Sequence, residues 1–330
     1  MPIPRAFLGF ALALSTMGPA LASTVADKLE GIYRRSFGSP RDPALVFVHG
    51  GPGYHSRDFE ATLAPRLAAA GFFVLVYDQR GQGRSAPAPE GDYRYARYAD
   101  DLAALLDEAG LPRATLLGHS HGGAIALHFL ERHPERVEKI ILVAAPVVFE
   151  DSLRAIHELC ARRFEAAGQG EKARVVAALH AQLFRGLADT HEARVSAVAM
   201  SFAAAGECGV YAGRPSEEGR SIWRDYLAQA RPDAPDSGRL TAMPGFLSNE
   251  DYIRFDGLAL VHRERARIAG IYGELDGLFT PLARNVLANA LSMPGEPERL
   301  RVIPDASHAV YMDQPAAFVE ALRAFTGATR

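Results

Sequence analysis

The 330-residue chain has only two cysteines, Cys160 and Cys208, and no pair of Cys or His residues at a metal-binding spacing. That scarcity excludes a disulfide-built scaffold and a zinc module, and no pattern calls for an organic cofactor. The two thiols stand either as one disulfide of an oxidising compartment or as two unpaired core residues, because spacing does not report proximity. Excess charge is missing too: 36 Lys and Arg face 39 Asp and Glu, the formal net charge is -3, and there is no long basic block. Nucleic acid and anionic membranes are therefore not the expected partners, which leaves a small molecule or a short peptide. No oligomeric state is assigned. Beyond the N-terminus no uninterrupted apolar run reaches membrane-spanning length, so stable membrane insertion is not expected of the mature chain. What remains is 48% hydrophobic and 23% charged, the balance of a chain that packs a core.

The first residues differ from the rest. Arg5 is followed by the apolar stretch Ala6 to Leu14, a break at Gly18-Pro19, and Ala20-Leu21-Ala22, with small residues where a signal peptidase reads. This predicts a signal peptide over residues 1–22 and an exported mature protein, periplasmic or secreted.

From about Ala44 to Val143, short β-branched runs alternate with amphipathic stretches, the pattern of a parallel sheet with helical crossovers. Strands are expected at Ala44 to Val48, Phe72 to Tyr77, Ala114 to Leu117 and Val137 to Val143, with helices at Phe59 to Ala70, Tyr98 to Ala109 and Gly122 to Arg132. Residues 147–257 are Ala-rich and helical in pattern, without strand alternation. The α/β pattern then resumes, with strands at Arg267 to Tyr272 and Leu300 to Ile303 and helices at Pro281 to Leu291 and Pro315 to Phe325. The expected fold is a mostly parallel sheet with helices on both faces. Its core comprises residues 23–146 and 258–330, interrupted once by a helical cap over 147–257.

Gly118-His119-Ser120-His121-Gly122 is a G-x-S-x-G between an expected strand and an expected helix. Glycines two positions either side of a serine suit a strained strand-to-helix turn, which presents the hydroxyl as a nucleophile beside a helix N-terminus. A hydroxyl needs a base, and the base needs a carboxylate to hold its tautomer. His308 and Asp276 both follow strands and fall at the same sheet edge, in the order Ser, acid, His. Glu274, Asp305 and Asp151 are rival acids, and Asp276 is favoured because its loop occupies the expected acid position. His119 and His121 are too near Ser120 in sequence to reach its oxygen and are read as pocket or packing residues. In His49-Gly50-Gly51-Pro52-Gly53, the glycines free backbone N–H groups, so Gly51 and His121 are expected to form an oxyanion hole.

Together with Asp78-Gln79-Arg80-Gly81-Gln82-Gly83-Arg84-Ser85, this loop resembles the proline iminopeptidases and their close relatives among the α/β-hydrolases, over about Gly31 to Ala144 and again from Arg267. In the second segment Asp78 and Arg80 are expected to brace the loops around the oxyanion hole. The resemblance implies an aminopeptidase releasing N-terminal proline or another small residue through an acyl-enzyme. It departs at the nucleophile, where those peptidases commonly carry Gly-Gly-Ser-Trp-Gly and this chain carries a form also common among esterases, so a carboxylesterase or lactonase stays open. Family peptidases bind the substrate amine with cap acids. Glu250 resembles one such position, and Asp225, beside Trp223-Arg224, is a candidate for the second.

Overall fold

Ala44–Val48 (β2) and Phe73–Tyr77 (β3) are apolar throughout, and Ala114–His119 (β4) and Val137–Val143 (β5) carry the apolar runs Leu116-Leu117 and Ile140 to Val143, which suits strands covered on both faces. Alternation then sorts their side chains. Val46, Val48, Leu116, Ile140 and Leu142 join one apolar core, while Leu45, Phe47, Leu117, Ile141 and Val143 join the other on the opposite face. The computed structural model describes residues 29–88, 91–187, 190–229 and 237–327, without the side chains of 229, 237–241 and 250. The expected signal peptide, residues 1–22, lies outside the described residues.

Arg34–Phe37 (β1), Ile268–Gly273 (β6) and Leu300–Ile303 (β7) complete a seven-stranded sheet ordered β1-β3-β2-β4-β5-β6-β7. Only β1 runs antiparallel, against β3. The helices before β5 are Arg57–Thr62 (α1), Ala64–Ala69 (α2), Tyr95–Glu108 (α3) and His121–Arg132 (α4). Between the neighbouring strands β5 and β6 the chain makes an excursion through Phe149–Ala166 (α5), Gly170–Phe184 (α6), His191–Glu207 (α7), Glu217–Gln229 (α8), Ser237–Leu247 (α9), Glu250–Ile253 (α10) and Leu258–Arg263 (α11). Its two ends are tied side by side: Phe149 N donates to Phe255 O at 2.9 Å and Gly257 N to Val147 O at 2.8 Å. Pro281–Leu291 (α12), Val310–Asp313 (α13) and Pro315–Thr326 (α14) finish the fold.

Three expectations change. The helix expected from Phe59 to Ala70 is two helices meeting at Leu63, with Pro65 in the first turn of the second, where a missing N–H costs no helical bond. Strand β4 runs on to His119, so the serine follows the strand without a spacer. β1 was not foreseen, since Arg-Arg-Ser-Phe on a half-exposed edge carries no apolar run. The two thiols are joined as a Cys160–Cys208 disulfide linking α5 to the end of α7.

Candidate active site

Parallel strands end together, and the chain segments leaving β2, β4, β6 and β7 meet at one edge of the sheet. Ser120 stands between the last residue of β4 and the first of α4, with φ 52° and ψ -127°. A left-handed φ on a serine is strained backbone that persists only where its surroundings hold it. Here Ser120 N donates to Val143 O and Ser120 O accepts from Gly123 N, each at 2.9 Å. The flanking glycines are sterically required: a Cβ on Gly122 would lie 2.0 Å from Val48 O, and one on Gly118 would lie 2.7 Å from Gly123 Cα. Gly50 lies against the serine closely enough that a Cβ there would sit 3.0 Å from Ser120 Cβ.

The loops that carry Asp276 and His308 are zipped together. Glu274 N donates to Ile303 O at 2.9 Å and Leu275 N to Ala306 O at 2.8 Å, while a Cβ on Gly273 would fall 2.3 Å from the carbonyl oxygens of Ala306 and Ser307. This brings His308 Nδ1 to 3.0 Å from Asp276 Oδ2, with Asp276 buried. Asp276 Oδ1 accepts from Leu278 N at 3.0 Å, which fixes the carboxylate plane. Two rivals are engaged elsewhere, Asp305 in an exposed ion pair with Arg214 at 3.2 Å and Glu274 through Oε2, which accepts from Asp305 N at 3.4 Å, while Asp151 lines a small adjoining cavity beside Val148 and Val286. Ser120 and His308 line one cavity of about 580 Å³, although among the described residues no hydrogen bond joins the serine hydroxyl to the imidazole. Such bonds are often long before substrate is bound.

His119 donates from Nε2 to the His308 carbonyl at 3.0 Å, which leaves its buried Nδ1 as an acceptor with no partner among the described residues. His121 packs edge-on against Phe246 at 4.6 Å and Tyr252 at 5.2 Å, and its Nε2 is likewise unpartnered. Burial pushes both imidazoles down to about 3, so they are neutral at ordinary pH. Both line the cavity.

The bracing expected of Asp78 and Arg80 is shared differently. Asp78 holds Ser56 through its N–H at 2.8 Å and its hydroxyl at 2.7 Å, and takes Arg84 Nε at 2.6 Å. Burial alone would raise the Asp78 carboxyl, but the bonds and charge of Arg84, with the Ser56 N–H, outweigh it and hold the group well below the usual carboxylate range. Arg80 instead makes a buried fork with Asp101 on α3, at 2.9 and 2.8 Å. Gln79 and Gln82 support the His49 to Gly53 loop: Gln79 N donates to His49 Nε2 at 2.9 Å, Gln79 Nε2 to His49 O at 2.6 Å, and Gly53 N to Gln82 Oε1 at 2.7 Å. Their amide side chains follow the Asp in a segment whose glycines drew attention to its turns. Since His49 Nε2 accepts, its Nδ1 carries the proton and donates to Gly50 O at 2.6 Å.

Helices of the excursion close the cavity with Phe149, Phe202, Met243 and Tyr252, and Phe255 joins them from the segment between α10 and α11. Asp58 is the carboxylate on its wall among the described residues, and both oxygens are occupied, by Phe59 N at 2.8 Å and Tyr311 OH at 2.6 Å. Burial raises its pKa. Glu250 opens α10, but its side chain lies outside the described residues. Asp225 is exposed on α8, 3.8 Å from Arg224, and is not part of the cavity wall. Among the described residues no cluster of His, Cys, Asp and Glu could hold a metal ion, and no helix is long and apolar enough to cross a membrane.

Residues 43–315 match the family model for the alpha/beta hydrolase fold. Among curated proteins, the chain is 36% identical over 115 residues to a bifunctional esterase/perhydrolase of Acinetobacter calcoaceticus, covering 34% of this chain and 41% of that protein. The matched segments thus span about two fifths of such relatives. Among solved structures, a proline iminopeptidase-related protein of Thermus thermophilus superposes with TM-score 0.61 at 27% identity, covering 90% of this chain and 93% of that one. The proline iminopeptidase of Mycobacterium smegmatis shares the fold, with TM-score 0.60 and 22% identity over 90% of this chain and 94% of its own.

Proposed function

This chain belongs to the α/β-hydrolase fold family, and from that premise we propose that it is a serine hydrolase working through an acyl-enzyme on Ser120. The observation that carries the proposal is the convergence of Ser120, the Asp276–His308 pair and the Gly50-Gly51 strip at one sheet edge, around one cavity. In this reading His308 Nδ1–H donates to Asp276, which leaves Nε2 to take the Ser120 proton as the oxygen attacks a carbonyl carbon. The oxyanion is received by the N–H groups of Gly51 and His121, the latter a first-turn donor with no helical partner. His308 then gives its proton to the leaving group, and water resolves the ester by the reverse sequence.

The proposed substrate is a short peptide with N-terminal proline or another small residue. Support comes from the His49 to Gly53 and Asp78 to Ser85 segments and from the likeness to the Thermus thermophilus protein. Glu250 is proposed as partner of the substrate amine. The second reading, a carboxylesterase or lactonase, is favoured by the apolar wall of Phe149, Phe202, Met243 and Phe255. The deciding assay compares prolyl and alanyl arylamides, their N-acylated forms, short acyl esters and lactones. A peptidase cleaves the free amines preferentially, and Glu250→Gln lowers their kcat/KM about ten- to a hundredfold while sparing neutral esters. N-acylated substrates cleaved as fast as free amines support the ester reading.

Export is part of the same proposal, supported by the signal-like N-terminus and by a disulfide suited to an oxidising compartment. Intact mass of protein from the native host should correspond to a chain starting at Ser23; a full-length cytoplasmic chain is the contrary result.

A further inference from the structure

A second concavity, of about 690 Å³, opens beside the catalytic cavity and shares Tyr211 and Trp223 with its wall. Ser307, the residue before His308, also lines it, so it lies on the side of the proposed base. The base protonates the departing group, and that group must therefore lie toward this side. The lining chemistry is amphipathic. Tyr211 and Leu227 are 40% and 63% exposed, and with Pro215 and Trp223 they form an apolar floor. Arg220 and Arg224 stand one helical turn apart on α8. Among the described residues the one carboxylate in the lining, Asp313, is buried and taken up: Oδ1 by Trp223 Nε1 at 2.9 Å, Oδ2 by Ser307 N at 2.8 Å and Ser307 Oγ at 2.5 Å. Arg220 Nη1 donates to Pro215 O at 2.8 Å and Arg224 Nη2 to Ser221 Oγ at 3.0 Å, which leaves further guanidinium donors on each. Asp225 is the acid near Arg224, at 3.8 Å and exposed to solvent.

We propose that this groove is a leaving-group subsite for a partly apolar group ending in a carboxylate, bound by Arg220 and Arg224. It rests on the serine-hydrolase reading above; on the aminopeptidase reading the ligand is the free C-terminus of a di-, tri- or tetrapeptide. The site thereby selects short peptides by their far end.

The test compares substrates differing only in that charge. One pair is Pro-Phe-Gly and Pro-Phe-Gly-amide; the other is the acetyl esters of 3-(4-hydroxyphenyl)propanoate and 3-(4-hydroxyphenyl)propanamide, cleaved at the phenol oxygen. The wild-type protein should favour the acid over the amide by about three- to tenfold in kcat/KM, mainly through KM, as expected of two half-solvated charge contacts. The preference should shrink as salt rises. Arg220→Gln/Arg224→Gln should bring the ratio close to one in whichever pair the enzyme cleaves, and a ratio needs no assumption about how well the variant folds. Wild-type ratios near one in every pair cleaved, or a ratio unchanged in the double variant, overturn the proposal. Cleavage of the esters alone, with the acid preference intact, would keep the subsite and remove the aminopeptidase reading.

Discussion

His121 offers a sharp test of the site's electrostatics. Its imidazole is buried among Tyr95, Phe246 and Tyr252, its Nε2 has no partner among the described residues, and burial pushes its pKa down from 6.5 to about 3. A base whose folded pKa is depressed stays neutral in the native state while the unfolded chain takes up a proton. Stability from this group is therefore full above pH 6.5 and lost as pH falls through the window from 6.5 toward 3. At pH 5.0 the unfolded form gains about 2 kcal/mol from protonation of this one residue, whereas at pH 7.5 it gains almost nothing. The substitution His121→Phe removes the titration, keeps a ring in an aromatic box and leaves no buried nitrogen without a partner. Urea unfolding of both proteins at the two pH values is the assay. At pH 7.5 the two should agree within about 1 kcal/mol. At pH 5.0 the variant should gain about 2 kcal/mol relative to its standing at pH 7.5. A stability difference that is the same at both pH values would refute the reasoning, since it would mean that the imidazole is not held neutral by burial.

The triad proposal predicts that Ser120→Ala, His308→Ala and Asp276→Asn each lower kcat by at least about a thousandfold with the circular dichroism spectrum unchanged. Asp151→Ala and Asp305→Asn should stay within a few-fold of wild type, and an inactive Asp151→Ala beside an active Asp276→Asn would move the acid. Gly122→Ala should fail to yield native protein, because its Cβ would sit 2.0 Å from Val48 O and 2.6 Å from His49 O; a soluble, active variant contradicts the turn geometry. The disulfide spans 48 residues, so Cys160→Ser/Cys208→Ser should lower urea stability by up to about 4 kcal/mol, and equal stability with and without it would place both helices' docking in their other contacts.

How much of this was legible in the sequence depends on how local each cause is. β2 and β3 are full apolar runs and β5 ends in one, Ile140 to Val143 after Glu138 and Lys139, and each was visible because a stretch buried on both faces needs every position apolar. β1 was invisible for the complementary reason: its pairing with β3 comes from backbone bonds that Arg34 to Phe37 do not advertise. The turn at Ser120 was legible because glycine is the answer to collisions with Val48 and Gly123, and a glycine pair at that spacing leaves a mark on the sequence. The work of Gln79 and Gln82 left none, since it is done on a loop about thirty residues earlier and exists only once β2 and β3 lie side by side. The same holds for Cys160 and Cys208, which meet because α5 packs on α7, a matter of helix faces rather than spacing. Arg220 and Arg224 are the extreme case. On α8 they read as ordinary surface charge, and they share a groove with Ser307 because Asp313 grips both Trp223 and Ser307. A glycine on that helix, Gly219, allows the fit: a Cβ there would lie 2.3 Å from Asp313 O. The chemistry common to the fold therefore sits in short motifs. The proposed leaving-group subsite depends instead on contacts between the excursion and the core, which only the folded chain assembles.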